Sequence, residues 1–140
     1  MTQLGERLRD ALVALTPDNA GAVEGLAPLY DPAMVFRDPI QTIRGREEFL
    51  AMNRRLLRRM RRLTWDVTAV QGTEDEVFLE WRMQCGLRLG PSLDVDGTTR
   101  VRARGGLIVD HRDYWDLGEM IASALPGGQR LLNALRAPLA

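Results

Sequence analysis

The sequence has a single cysteine, Cys85, and no lysine at all. One cysteine excludes an intrachain disulfide framework and a thiolate metal cluster. A chain without disulfides suits a reducing compartment, so a cytoplasmic location is expected. Histidine is as scarce, with His111 alone. A lone imidazole is a poor basis for a transition-metal site, and no spacing of acidic residues asks for one, so neither metal nor cofactor is expected. No apolar run approaches the roughly 20 residues that a bilayer crossing needs, so no membrane association is expected. Near the N-terminus Glu6, Arg7, Arg9 and Asp10 interrupt any apolar stretch, which argues against a secretory signal. An excess of charge of either sign is missing too: 19 basic residues, all arginine, stand against 19 acidic ones. A balanced chain offers no global field for a polyanion, so nucleic acid is not an expected partner.

What is present is ordinary for a globular protein: 140 residues, 45% of them hydrophobic and 27% charged. That length suits one domain over 1–140 with a core large enough to need no staple. Leu4, Leu8, Leu12 and Leu15 recur at helical spacing between charged residues. After Thr16-Pro17, Asp18 is a candidate N-cap for a second helix running to Leu29. Ala33 to Arg37 reads as a short strand closed by Asp38-Pro39. Gly45-Arg46-Glu47-Glu48 opens the longest helix, with two carboxylates at the positive end of its dipole. Its apolar stripe is expected at Phe49, Met52, Leu56, Met60 and Leu63. The arginines of 54–62 fall opposite that stripe and read as a solvated face.

From Trp65 the apolar period changes to two. Strands are expected over 65–69, 77–85, about 98–104 and 107–115, with turns at 72–75, 90–91 and Gly105-Gly106. Residues 117–124 and 129–135 read as closing helices, a helical C-terminal extension over 117–140. Helices followed by consecutive strands indicate α+β with a mostly antiparallel sheet. Strand parity puts Glu80, Arg82 and Gln84 on one face with Arg100, Arg102, Arg104, Asp110 and Arg112. Opposite charges across strands support one another, so that face is expected in solvent. The other face carries Trp81, Met83, Cys85, Val101, Ala103, Val109, His111, Asp113 and Trp115. It sets a histidine and a carboxylate among apolar side chains, and a buried carboxylate needs a partner, a proton or a pocket.

Two stretches resemble the nuclear transport factor 2-like superfamily, in its SnoaL-like and limonene-epoxide-hydrolase-like branch. One is Leu29-Tyr30-Asp31-Pro32-Ala33-Met34-Val35-Phe36-Arg37-Asp38-Pro39 with Ile43-Arg44-Gly45-Arg46-Glu47-Glu48-Phe49. The other is Ile108-Val109-Asp110-His111-Arg112-Asp113-Tyr114-Trp115-Asp116. The resemblance implies a cone-shaped, cystatin-like fold in which a bent sheet wraps helices and encloses a pocket. It also implies a homodimer. In ketosteroid isomerases of this fold the general base is the Asp of an Asp-Pro pair, which corresponds to Asp38. Their oxyanion tyrosine would fall near Ala14. In the epoxide hydrolases a last-strand Asp corresponds to Asp113, alongside an Arg-x-Asp in a middle strand. Here that strand offers Arg82-x-Gln84 or Trp81-x-Met83, and Phe36 and Asp38 stand where a tyrosine and an asparagine are expected.

The candidate catalytic residues are therefore Asp113, Asp38 and His111, with Phe36, Trp81, Met83 and Trp115 as candidate pocket lining. Each has a plainer alternative. Asp113 could serve only as an arginine's partner, Asp38 as a turn former, His111 as a satisfied core residue, and the large apolar side chains as core. Two functions follow. One is an enzyme on a small, largely apolar molecule, working by carboxylate acid/base chemistry as an isomerase, cyclase or epoxide-opening hydrolase. The other is a non-catalytic ligand-binding or dimerisation module of the same fold.

Overall fold

A computed structural model describes residues 2–139. The chain opens with helix α1 (Gln3–Val13), capped by Thr2, whose hydroxyl accepts from Gly5 N at 3.1 Å. Its leucines lie buried as their spacing predicts. The segment Ala20–Leu29 is helical but of the 3₁₀ kind, preceded by Asn19 rather than Asp18 and without a side-chain cap. Its composition explains the difference: Gly21, Gly25 and Pro28 weaken a regular i to i−4 ladder, and buried Val23, Leu26 and Leu29 hold the segment in place.

Strand β1 (Tyr30–Arg37) begins earlier than expected and turns at Asp38 into a three-residue strand β2 (Thr42–Arg44). Helix α2 (Arg46–Arg59) then stops before Met60, so Met60 and Leu63 belong to strand β3 (Met60–Gly72) and not to the helical stripe. Both are buried all the same. Apolar residues at this junction satisfy both periods, so periodicity alone does not place the boundary. Strands β4 (Glu76–Leu87), β5 (Ser92–Arg104) and β6 (Leu107–Trp115) follow, β5 longer at its start than expected. Gly105 and Gly106, with φ of 59° and 81°, make the tight turn between β5 and β6. Helices α3 (Leu117–Ala124) and α4 (Gly128–Arg136) end the described chain with a short 3₁₀ turn, Ala137–Leu139. Among the described residues no helix is long and apolar enough to cross a membrane.

The six strands form one sheet in the order β2-β1-β6-β5-β4-β3. All neighbours are antiparallel except β1 and β6, which run parallel. Register shifts interrupt the β1–β6, β3–β4 and β5–β6 ladders. Such irregularities bend a sheet, and here α1 packs on β3 and β4 while α2 packs on β1. The shift in β5–β6 corrects one inward assignment: Ile108 is fully buried, whereas Val109 is only partly so. The rest of the parity holds. On the outer face Arg82 forks onto Asp94 at 2.9 and 2.5 Å, and Glu76 takes Arg100 at 2.7 Å and Arg102 at 3.2 Å. These arginines hold the Glu76 and Asp94 carboxyls below their ordinary range. Arg82 thus points away from the helices.

Candidate active site

Between the concave face of the sheet and helices α1 and α2 lies a cavity of about 400 Å³. That is within the range of small-molecule sites. All seven candidate residues border it: Asp38, His111 and Asp113, and Phe36, Trp81, Met83 and Trp115. Strand alternation explains the convergence. Thr99 pairs with Asp113 and Val101 with His111 across β5–β6, while Phe36 pairs with His111 across the parallel β1–β6 contact. One sheet face therefore gathers the carboxylate, the imidazole and their neighbours.

Asp113 is the end point of a buried hydrogen-bond chain. Thr99 Oγ1 donates to Asp113 Oδ1 at 2.6 Å, and Trp81 Nε1 donates to Thr99 Oγ1 at 2.8 Å. His111 Nε2 lies 2.8 Å from the same Asp113 Oδ1, and Tyr30 Oη lies 2.8 Å from His111 Nδ1. Burial, and secondarily the negative charge of Asp113, push the Tyr30 phenol well above its ordinary value, so Tyr30 keeps its proton. An ionised Asp113 accepts from Nε2–H, and Nδ1 of the neutral imidazole then accepts from the Tyr30 hydroxyl. Both arms thus converge on Oδ1, and among the described residues none donates to Oδ2.

The imidazole is fixed by more than these bonds. Phe36, Phe49 and Tyr30 surround it at ring-centroid distances of 5.0, 5.5 and 5.9 Å. The Trp81 indole is placed by a close backbone approach. A Cβ on Gly97, opposite Trp81, would stand 2.4 Å from its Cη2 atom and 2.9 Å from the Tyr114 carbonyl oxygen. Only glycine lets the indole lie across β5 and reach Thr99.

Asp38 borders the same cavity, but its Oδ1 accepts from the backbone N–H groups of Ile40 at 2.7 Å and Gln41 at 3.0 Å. It builds the turn between β1 and β2, as its place before Pro39 suggests. Helix α2 contributes Phe49, Met52, Asn53 and Leu56 to the opposite wall. The arginine run is not uniformly turned away: Arg54 pairs with Glu24 at 2.6 Å, while Arg55 and Arg59 stand at the cavity rim. Among the described residues no cluster of histidine, cysteine and carboxylates could hold a metal ion.

Sequence reasoning missed Tyr30, Thr99 and Asn53. Thr99 sits in register with Asp113 and was legible as its cross-strand neighbour. Tyr30 is 81 residues from His111, and no local pattern joins them. Asn53 lies inside an arginine-rich helix, where a polar residue reads as surface.

Comparison with known proteins identifies the fold. The sequence profile of the SnoaL-like domain matches residues 10–111, ending two residues short of Asp113. No curated protein matches. Among solved structures, a protein of ketosteroid isomerase-like fold from Catenulispora acidiphila, in complex with trimethylamine, superposes with a TM-score of 0.73 at 21% identity, over 90% of this chain and 95% of that one. An epoxide hydrolase of the limonene-epoxide-hydrolase-like kind from M. tuberculosis gives 0.72 at 18% identity, over 96% of each chain. A candidate SnoaL-like polyketide cyclase from Jannaschia gives 0.69 at 20% identity, over 90% of this chain and 98% of that one. At these identities the likeness concerns the α+β architecture, a curved open sheet around helices.

Proposed function

The chain belongs to the SnoaL-like domain family, and from that membership and its cavity we propose an enzyme that moves a proton on one small, largely apolar molecule. Asp113 is the proton carrier. It takes a proton from a carbon activated by a neighbouring carbonyl and returns it elsewhere on the same molecule, as in an isomerisation or a ring closure. The single observation behind this reading is a carboxylate, 14% exposed, held at one oxygen by Thr99 and His111 while the other oxygen has no donor among the described residues. The held oxygen fixes orientation, and the free one faces chemistry. His111 and Tyr30 act as positioning residues through that first oxygen.

Epoxide opening fits less well. It asks for a second carboxylate to activate water, and Arg82 points outward onto Asp94 while Asp38 is engaged in its turn. In this reading residues 117–140 extend the same domain, since Met120 of α3 borders the cavity. The engagement of Asp38 also supports the second reading, a ligand-binding module without turnover.

The test is deuterium exchange by NMR in D₂O with apolar ketones such as 2-tetralone. Wild type is expected to accelerate exchange of the protons beside the carbonyl. Asp113→Asn should lower the acceleration by about 10²-fold or more, the usual weight of a general base. Exchange that survives in Asp113→Asn removes Asp113 as carrier. Binding of the ketone with no exchange in wild type favours the non-catalytic module.

A further inference from the structure

Besides Tyr30 and Trp81, whose polar atoms serve the network described above, Thr99, His111 and Asn53 are buried among the described residues. Thr99 and His111 belong to the chain that ends on Asp113. Asn53 does not. It is 7% exposed, sits within α2 and borders the cavity. Its Nδ2 donates to the carbonyl oxygen of Phe49 at 2.9 Å. A carbonyl can only accept, so the nitrogen must be the atom facing Phe49, and the amide orientation is settled. Among the described residues nothing donates to Asn53 Oδ1, and one Nδ2 proton is also left over.

The fold does not require this amide. In a regular helix the Phe49 carbonyl already receives the backbone N–H of residue 53, four positions on. The side-chain bond is therefore a second one to the same oxygen. Asparagine is a poorer helix former than leucine, and its amide loses water on burial. An apolar residue would serve the core better. An acceptor and a donor, side by side on a cavity wall, suit a group that both donates and accepts.

We infer that Asn53 is the polar anchor of the bound ligand and that the ligand carries a hydroxyl group, alcoholic, phenolic or enolic, on an otherwise apolar body. The hydroxyl hydrogen goes to Oδ1 and its oxygen receives the spare Nδ2 proton. This inference rests on the cavity being a small-molecule site, as proposed above, but not on Asp113 being catalytic.

The experiment is a titration of the whole chain with 2-naphthol and with naphthalene, followed by ligand fluorescence or calorimetry. The two probes share a body and differ by one hydroxyl. Wild type should bind 2-naphthol about tenfold more tightly, the scale of one well-made hydrogen bond inside a dry site. Asn53→Leu should bring the ratio to about one while naphthalene binds as before. Asn53→Ala, which adds no bulk, should do the same, and neither variant should unfold more readily in urea. Equal affinities in wild type overturn the inference, as does a ratio unchanged in both variants. A lowered urea midpoint with an unchanged ratio would mark Asn53 as structural and overturn it too. Failure of wild type to bind either probe would remove the small-molecule reading together with the inference.

Discussion

Replacing Tyr30 by phenylalanine deletes one oxygen from the interior and leaves the rest of the ring in place. Tyr30 is fully buried, and its ring meets Phe49 at 4.9 Å. That contact survives the substitution. What is lost is the 2.8 Å bond to His111 Nδ1, and His111 is itself only 2% exposed. The imidazole then has a buried lone pair with no donor. Leaving such an acceptor unpaired costs roughly 1–3 kcal/mol, and about 2 kcal/mol is expected here. With a urea m-value of about 2 kcal/mol/M, the midpoint should fall by about 1 M with no change in slope. The sole histidine supplies a second readout, because its nitrogens give the only imidazole signals in a long-range proton–nitrogen spectrum. Wild type should show the proton on Nε2, and Tyr30→Phe should weaken that preference. A midpoint within about 0.2 M of wild type would refute the argument, as would a wild-type spectrum with the proton on Nδ1.

Two further outcomes follow from the same interior. The raised Tyr30 phenol means that the folded state holds this proton more tightly than the unfolded state does. Its contribution to stability is full below the ordinary phenol value of 10.0 and is lost as pH rises from there toward the folded value. Urea midpoints should therefore drop more steeply above that pH in wild type than in Tyr30→Phe, and parallel curves would count against the burial argument. Gly97→Ala would put a methyl group 2.4 Å from the Trp81 ring, so the indole must move and release Thr99. A loss of about 1–3 kcal/mol in urea unfolding is expected, with a changed tryptophan emission; wild-type stability and spectrum would show the approach to be looser than described.

The outward charges and inward apolar residues of β4, β5 and β6 were legible because a strand writes its burial with period two. His111, Asp113, Trp81 and Met83 fall on one face by counting alone, and Phe36 joins them through the family motif. The turns at Gly105-Gly106 and Asp38-Pro39 were legible because their backbone demands restrict the residue types. The end of α2 was not, since Met60 and Leu63 are apolar on either period and only their pairing with β4 makes them strand. Nor was the 3₁₀ form of residues 20–29, where packing overrides weak helical chemistry. The sequence by itself determined the α+β class, the two faces of the sheet and the placing of a carboxylate on the apolar one, because these follow from local spacing. Tertiary structure decided what that carboxylate is worth. It brought Tyr30 to His111 across 81 residues, joined Thr99 to Trp81 through the space above Gly97, and turned Asn53 inward from a helix that looks polar. Contacts of that kind depend on distances through space, and no period along the chain records them.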